Sequence, residues 1–369
     1  MIGFLILLVA ASMAISLLGT ALVMRVAPQV GLVAQPGGRM IHKQPTPVGG
    51  GMAIFLGLWL PIWISVAICF YLRASGDASS GFIAGLPIPE NLKIQVMGVM
   101  DKVPQLAMIF LGGVIVFLVG LADDRWGLSP WLRLAIEAGV GLMLVLSGVS
   151  VELFVESHIL RGIITVVWIV GLINAFNFLD NMDGLSAGVA AIIAVFFSVV
   201  AFQTVHYFVG GALCCLIGAL LGFLVFNFPP ASIFMGDCGS MTIGYALAVL
   251  TVQFTFFQPE RPYFPIVVPL MMFGVPLFDT ITVIWIRIRS GRSPFQGDTN
   301  HFSHRLVALG MQPWQAVLTI YLVTATVALG VTVLYYASSV AILVIFAQTV
   351  AVFTIIGILE TTGRRKSGA

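Results

Sequence analysis

Residues 161–204 read RGIITVVWIVGLINAFNFLDNMDGLSAGVAAIIAVFFSVVAFQT, and this stretch decides the fold. It holds two apolar runs, 161–179 and 185–204, each within the roughly 17–25 residues that a helix needs to cross a bilayer. Only Asp180-Asn181-Met182-Asp183-Gly184 separates them. The chain is therefore expected to cross a membrane, turn on two carboxylates and cross back. An ionised side chain at membrane depth costs on the order of several kcal/mol, so its default reading is functional.

Outward from this hairpin, further apolar runs lie near 3–24, 48–72, 104–122, 130–149, 208–226, 239–256, 264–287, 313–335 and 338–359. Together they predict about eleven spans. Composition agrees: 59% of the 369 residues are hydrophobic and 9% charged, against about 25% charged in a soluble domain. The expectation is an all-α polytopic bundle forming a single domain over residues 1–369. A soluble domain on one anchor is excluded, and no nucleic-acid partner is expected. The cysteines Cys69, Cys214, Cys215 and Cys238 show no zinc or redox spacing and read as free thiols in packed helices.

Charge placement predicts the orientation. No basic residue precedes the first run, whereas Arg25, Arg39 and Lys43 follow it, as for an uncleaved span with its N-terminus outside. Segments on the cytoplasmic side would then also hold Arg125, Arg133, Arg287, Arg289, Arg292, Arg305, Arg364, Arg365 and Lys366. Outside would remain Arg73, Lys93, Lys102, Arg161 and Arg261. This asymmetry follows the positive-inside rule and leaves the C-terminus cytoplasmic. Asp123, Asp124, Asp180, Asp183 and Asp237 all fall at run ends on the cytoplasmic side. Such a one-sided acidic cluster suggests a divalent metal and a phosphorylated substrate.

Each cytoplasmic segment has a plain reading beside a chemical one. In RMIHKQPTPVGGG (39–51), Arg39, His42 and Lys43 are cationic donors, and Gly49-Gly50-Gly51 allows close approach of a ligand or helix. The plain reading is a basic loop that sets topology. Adjacent Asp123 and Asp124 raise each other's proton affinity, which suits a metal or a general base. The alternative is an Asp-Asp-Arg turn, with Asp124 helping to cap the helix after Pro130. Asn174, Asn177, Asp180 and Asp183 recur every third residue and would form one polar stripe on a helix, lining a cavity.

Further along, NFPPASIFMGDCGS (227–240) sets Asp237 between small residues at a helix start, where backbone N–H groups could face a phosphate. Phe234 is placed to stack on a planar base. The plain reading of Asp237 is an Asp N-cap beside a Gly turn. In the segment 287–305, His301, His304 and Arg305 suit an anionic phosphate better than zinc, since neither an HExxH pattern nor a thiolate pair accompanies them. The combination fits metal-assisted phosphoryl transfer from a nucleotide.

The chain resembles the polyprenyl-phosphate N-acetylhexosamine-1-phosphate transferases, in the branch that primes wall teichoic acid, O-antigen or related glycans. The resemblance rests on His42-Lys43 with Pro45-Thr46-Pro47 and the glycines, Asp123-Asp124, NAFNFLDNMDGL (174–185), FMGDCGS (234–240), PLFDT (276–280) and SPFQGDTNHFSHRL (293–306), in the family's order and over nearly the whole chain. It implies transfer of a sugar 1-phosphate, with GlcNAc expected, from a UDP-N-acetylhexosamine to undecaprenyl phosphate, with release of UMP. It implies Mg2+ as cofactor and a multi-pass protein of the bacterial plasma membrane with a cytoplasmic site; homodimerisation stays open.

The same resemblance implies roles. Asp237 would ligate Mg2+, and Asp123, with Asp124 beside it, would deprotonate the lipid phosphate. Asn174, Asn177, Asp180, Asp183 and Asn227 would shape the nucleotide and metal pocket, with Phe234 against uracil. His42, Lys43, His301, His304 and Arg305 would hold phosphates or the sugar. The chain departs from the pattern at Ser303, where many relatives carry histidine, and at Asn181, where glycine is common. Asp279 stands where the muramyl-pentapeptide branch has Glu, which argues against that branch. Two other classes are weaker. A CDP-alcohol phosphotransferase would need arginine where Gly188 stands. An ion-coupled transporter would hold its acids near the midplane.

Overall fold

The computed structural model describes residues 2–35, 45–74, 90–151, 156–254, 264–295, 298–334 and 336–367, with side chains of 72–101, 264–266, 339 and 360–367 set aside. His42 and Lys43, together with Arg39, lie outside the described residues. Among the described residues thirteen α-helices follow one another: α1 (Ile2–Val26), α2 (Gly51–Ala74), α3 (Glu90–Trp126), α4 (Pro130–Leu146), α5 (His158–Leu179), α6 (Leu185–Gln203), α7 (Tyr207–Asn227), α8 (Asp237–Gln253), α9 (Phe264–Met272), α10 (Gly274–Arg289), α11 (Phe302–Ala308), α12 (Pro313–Leu334) and α13 (Ser339–Ser367). Two antiparallel two-residue strands, β1 (Val33–Ala34) and β2 (Thr46–Pro47), join the ends of α1 and α2.

Eight helices among the described residues are long and apolar enough to cross a membrane: α1, α2, α3, α5, α6, α7, α12 and α13. Two further expected spans, α4 and α8, are helices of 17 residues. The expected span 264–287 is corrected: the chain breaks between Met272 and Gly274 into α9 and α10. Phe273 occupies the break and is fully buried.

Solvent quality explains the inside-out helices. In α1 the buried residues are Ser12, Ser16 and Thr20, while Leu18 and Leu22 are more than half exposed. Lipid is as apolar as leucine, so association there depends on close backbone packing at small residues. At the centre stands α8, buried over nearly its whole length and packed against α2, α3 and α5. Its N-terminus touches α2 backbone to backbone. A Cβ on Gly51 would lie 2.2 Å from Gly239 N, so only glycine permits the contact. The glycine run 49–51 thus serves a helix contact, one of the two uses its sequence allows.

Local signals set the turns. Ser129 caps α4 through its Oγ, which accepts from Leu132 N at 3.2 Å, with Pro130 at the first helical position. Ser157 likewise caps α5. Gly184 closes the hairpin 161–204 in a left-handed conformation (φ 73°).

Candidate active site

Three loops meet at the α8 N-terminus: the α3–α4 turn, the α5–α6 turn and the segment 228–236. Asp123 and Asp237 come from different helices and converge on one cation, the Arg133 guanidinium of α4. Arg133 Nη1 donates to Asp123 Oδ2 and, at 2.8 Å, to Asp237 Oδ2. The other oxygens are also occupied. Asp123 Oδ1 accepts from Leu128 N at 2.5 Å, and Asp237 Oδ1 from Asn177 Nδ2 at 2.9 Å. The Asp237 side chain is 34% exposed and that of Asp123 only 9%, so Asp237 is the acid that opens outward.

Asp124 has a different task. Its Oδ1 accepts from Asp237 N at 2.7 Å and its Oδ2 from Cys238 N at 3.1 Å. A carboxylate from α3 therefore caps α8, satisfying two of its orphan N–H groups and complementing its dipole. Gly239 N and Ser240 N bond to Gly236 O. The expectation that this helix start faces a phosphate is thus corrected, because its N–H groups are taken. Capping of α4 by Asp124 is corrected too, since Ser129 does it. Gly236, at φ 74°, admits the cap: a Cβ there would lie 2.5 Å from Asp124 Oδ2.

The four-residue polar stripe is corrected in part. Helix α5 ends at Leu179, so Asp180 and Asp183 belong to the turn and only Asn174 and Asn177 share the helix. Asn177 faces Asp237 and Ser240. Asn174 turns instead to Glu137, donating at 2.5 Å to Oε2 of that buried side chain. Asp183 Oδ2 accepts from Ala231 N at 3.0 Å. Asp180 lies within electrostatic reach of Asp124 and Asp183, and burial, then those two charges, pushes its carboxyl up to about 7.

Other residues expected at the site have partners within the protein. Asn227 is buried, its Oδ1 accepting from Gly184 N at 3.0 Å and its Nδ2 donating to Ile233 O at 2.8 Å. It ties the α5–α6 turn to the 228–236 segment. Phe234 is half-buried and its backbone pairs with Pro47 and Gly50. Arg305 is buried, donating to Asn300 O at 2.9 Å and Thr282 Oγ1 at 3.0 Å. His301 Nδ1 is hydrogen-bonded at 2.8 Å to Asp279 Oδ2, and Phe302 N donates to Asp279 Oδ1 at 2.5 Å. Burial, then His301, holds the His304 imidazole below its ordinary range against the opposing pull of Asp279 and Asp298. At neutral pH it offers hydrogen bonds, not a fixed charge.

Sequence reading missed Arg133 and Glu137 as site residues. Arg133 counted only as a topology charge, although the pair stands at i and i+4 in an apolar run just after two acids, which is a signal. Among the described residues no three His, Cys, Asp or Glu side chains gather as a complete metal cage. Mg2+ does not need one, being held by one or two carboxylates plus substrate phosphates. Asp123 and Asp237 already share one cationic partner, so the donor set fits such an ion.

Comparison with known proteins places the whole chain. Residues 106–255 match the model for glycosyl transferase family 4. The chain is 31% identical over 349 residues to a Bacillus subtilis protein described as "Probable undecaprenyl-phosphate N-acetylglucosaminyl 1-phosphate transferase", covering 91% of this chain and 88% of that one. It is 32% identical over 345 residues to the decaprenyl-phosphate N-acetylglucosaminephosphotransferase of Mycolicibacterium smegmatis, covering 86% and 78%. With the undecaprenyl-phosphate alpha-N-acetylglucosaminyl 1-phosphate transferase of Escherichia coli K12 the identity is 28% over 327 residues, covering 82% and 77%.

Proposed function

The chain belongs to glycosyl transferase family 4, and from that membership we propose that it transfers N-acetylglucosamine 1-phosphate from UDP-GlcNAc to a polyprenyl phosphate. An oxygen of the lipid phosphate attacks the phosphorus that carries the sugar. The bond from that phosphorus to the oxygen of the uridine phosphate breaks, and UMP leaves with the bonding electrons. The product is a lipid-linked diphosphate sugar. Undecaprenyl phosphate is the proposed acceptor, and the plasma membrane with a cytoplasmic site the proposed location, in keeping with the positive-inside asymmetry.

The observation that carries this reading is the convergence of Asp123 and Asp237 on Arg133, within a chain similar to such transferases over most of its length. Asp237 and Asp123 would hold Mg2+, which when bound neutralises charge on the donor's diphosphate. Arg133 brings a guanidinium to the same place, and a guanidinium donates to phosphate oxygens as well as to carboxylates. Proton acceptance from the lipid phosphate, the role the resemblance implies for Asp123, would compete with its use on Mg2+ and with its bonds to Arg133 and Leu128 N. Asn177 fixes the Asp237 carboxylate by donating to Oδ1. Asp180 and Asp183, with His301 and His304, are proposed to line the donor side.

A transporter is disfavoured because the acids stand at helix ends. The span broken at Met272-Phe273-Gly274 carries no charged residue at the break. The test is purified protein with Mg2+, undecaprenyl phosphate and a panel of UDP-sugars. UMP release with UDP-GlcNAc is expected; a folded protein releasing none with any UDP-N-acetylhexosamine overturns the proposal.

A further inference from the structure

Asn181 and Ser303 carry no role in the sequence reading, yet they form a hydrogen bond across 122 residues of chain, Ser303 Oγ donating to Asn181 Oδ1. Ser303 is 1% exposed. Asn181 is the residue after Asp180 in the α5–α6 turn, and Ser303 lies between His301 and His304 on α11. The direction of the bond is fixed by the other end of the amide. Asn181 Nδ2 donates at 2.8 Å to Phe178 O, a carbonyl in the last turn of α5 that can only accept. The amide oxygen is thereby turned toward Ser303, and the hydroxyl must donate.

Both partners are anchored on their own side. Gly184, at the other end of the turn, is held by Asn227 and by Tyr321, whose hydroxyl donates at 2.5 Å to Gly184 O. On the α11 side, Asp279 grips His301 and Phe302 N. Two anchored pieces, one bearing Asp180 and Asp183 and the other His301 and His304, are thus joined by this side-chain bond, with ring contact between Phe178 and His301 beside it. Both pieces lie outside the membrane-spanning helices, where a soluble donor arrives and a lipid tail does not.

We infer that Asn181 and Ser303 are positioning residues for the nucleotide-sugar subsite, a latch that sets the spacing between the acidic turn and the imidazoles of α11. This rests on the transferase reading above. Loss of the latch should weaken donor binding and leave the lipid acceptor, expected beside Asp123 and Arg133, unaffected.

The experiment measures both Michaelis constants in Ser303→Ala, Ser303→Thr, Asn181→Ala and the double Ala variant, with thermal melts of each. Ser303→Ala should raise KM for UDP-GlcNAc about three- to tenfold, the span of one hydrogen bond, with KM for undecaprenyl phosphate and kcat within about twofold. Ser303→Thr keeps the hydroxyl and should restore donor KM. The double variant should be no worse than Asn181→Ala, because the two act through one bond. Unchanged donor KM in Ser303→Ala overturns the inference. So do equal rises for both substrates or additive effects in the double variant. If Ser303→Ala does not fold, Ser303→Thr and Asn181→Ala decide: wild-type donor KM in Asn181→Ala, or no restoration by threonine, counts against the latch. A wild-type protein that releases no UMP would instead refute the transferase reading.

Discussion

Asp124 accepts the backbone N–H of Asp237 at 2.7 Å, so one acid of the Asp-Asp pair positions the acid from another helix. The two neighbours therefore divide their work: Asp123 faces Arg133 and the site, while Asp124 holds the start of α8. Asp124→Asn keeps an acceptor for one N–H but gives up the charge. It should lower the melting temperature and raise the Mg2+ concentration needed for half-maximal UMP release about tenfold, leaving turnover measurable. Asp237→Asn should abolish turnover at any Mg2+ concentration. If Asp124→Asn is as inactive as Asp237→Asn at saturating Mg2+, the capping role is wrong.

Asn227 is a support, and its loss should appear as instability. Truncation to alanine leaves Gly184 N and Ile233 O buried without their partner, at about 1–3 kcal/mol for each group. Thermal melts in detergent should show Asn227→Ala clearly destabilised. Donor KM raised with an unchanged melt would instead restore it to the substrate pocket.

Asp180 makes a pH prediction. Its folded-state carboxyl is pushed up to about 7, above the ordinary unfolded value near 3.9. The folded chain thus holds that proton more tightly than the unfolded chain. The resulting stability is fully present below about pH 4 and is lost as pH rises through about 7. Asp180→Asn removes this penalty. In chelator, without Mg2+, it should melt higher than the wild type at pH 8, the gap closing toward pH 4. A gap that is constant, or reversed in sign, would show that Asp180 ionises normally.

Glu137 is buried and bonded to Asn174, with Arg133 one turn away on the same helix. Glu137→Gln should weaken the setting of Arg133 and slow turnover by less than tenfold, whereas Glu156→Gln, at an exposed position, should change nothing. Equal activity of the two variants would separate Glu137 from the site.

The helices were legible from their apolar runs because a bilayer demands length and hydropathy from each one alone. The hairpin 161–204 illustrates this, with α5 ending at Leu179 and α6 starting at Leu185. The break at Phe273 had a signal that length and hydropathy pass over: Gly274 and Pro276 follow it, and Pro276 has no N–H to donate to Met272, where α9 ends. For the site, motifs located the acids but could not say which oxygen meets which donor. Asp124 and Asp123 are adjacent and chemically identical, and only the arrival of α8 separates a cap from a site residue. Arg133 escaped notice because a basic residue beside a membrane helix already has a sufficient explanation in topology.

Asp123 and Asp237 are proposed to hold one divalent ion between them, in contact with the donor's diphosphate. Electron paramagnetic resonance of Mn2+ titrated into purified protein with UDP-GlcNAc tests it directly. One bound Mn2+ is expected in the wild type, displaced by Mg2+, with at least about tenfold weaker binding in both Asp123→Asn and Asp237→Asn. Wild-type Mn2+ affinity in both variants, with the fold intact by thermal melt, would contradict it.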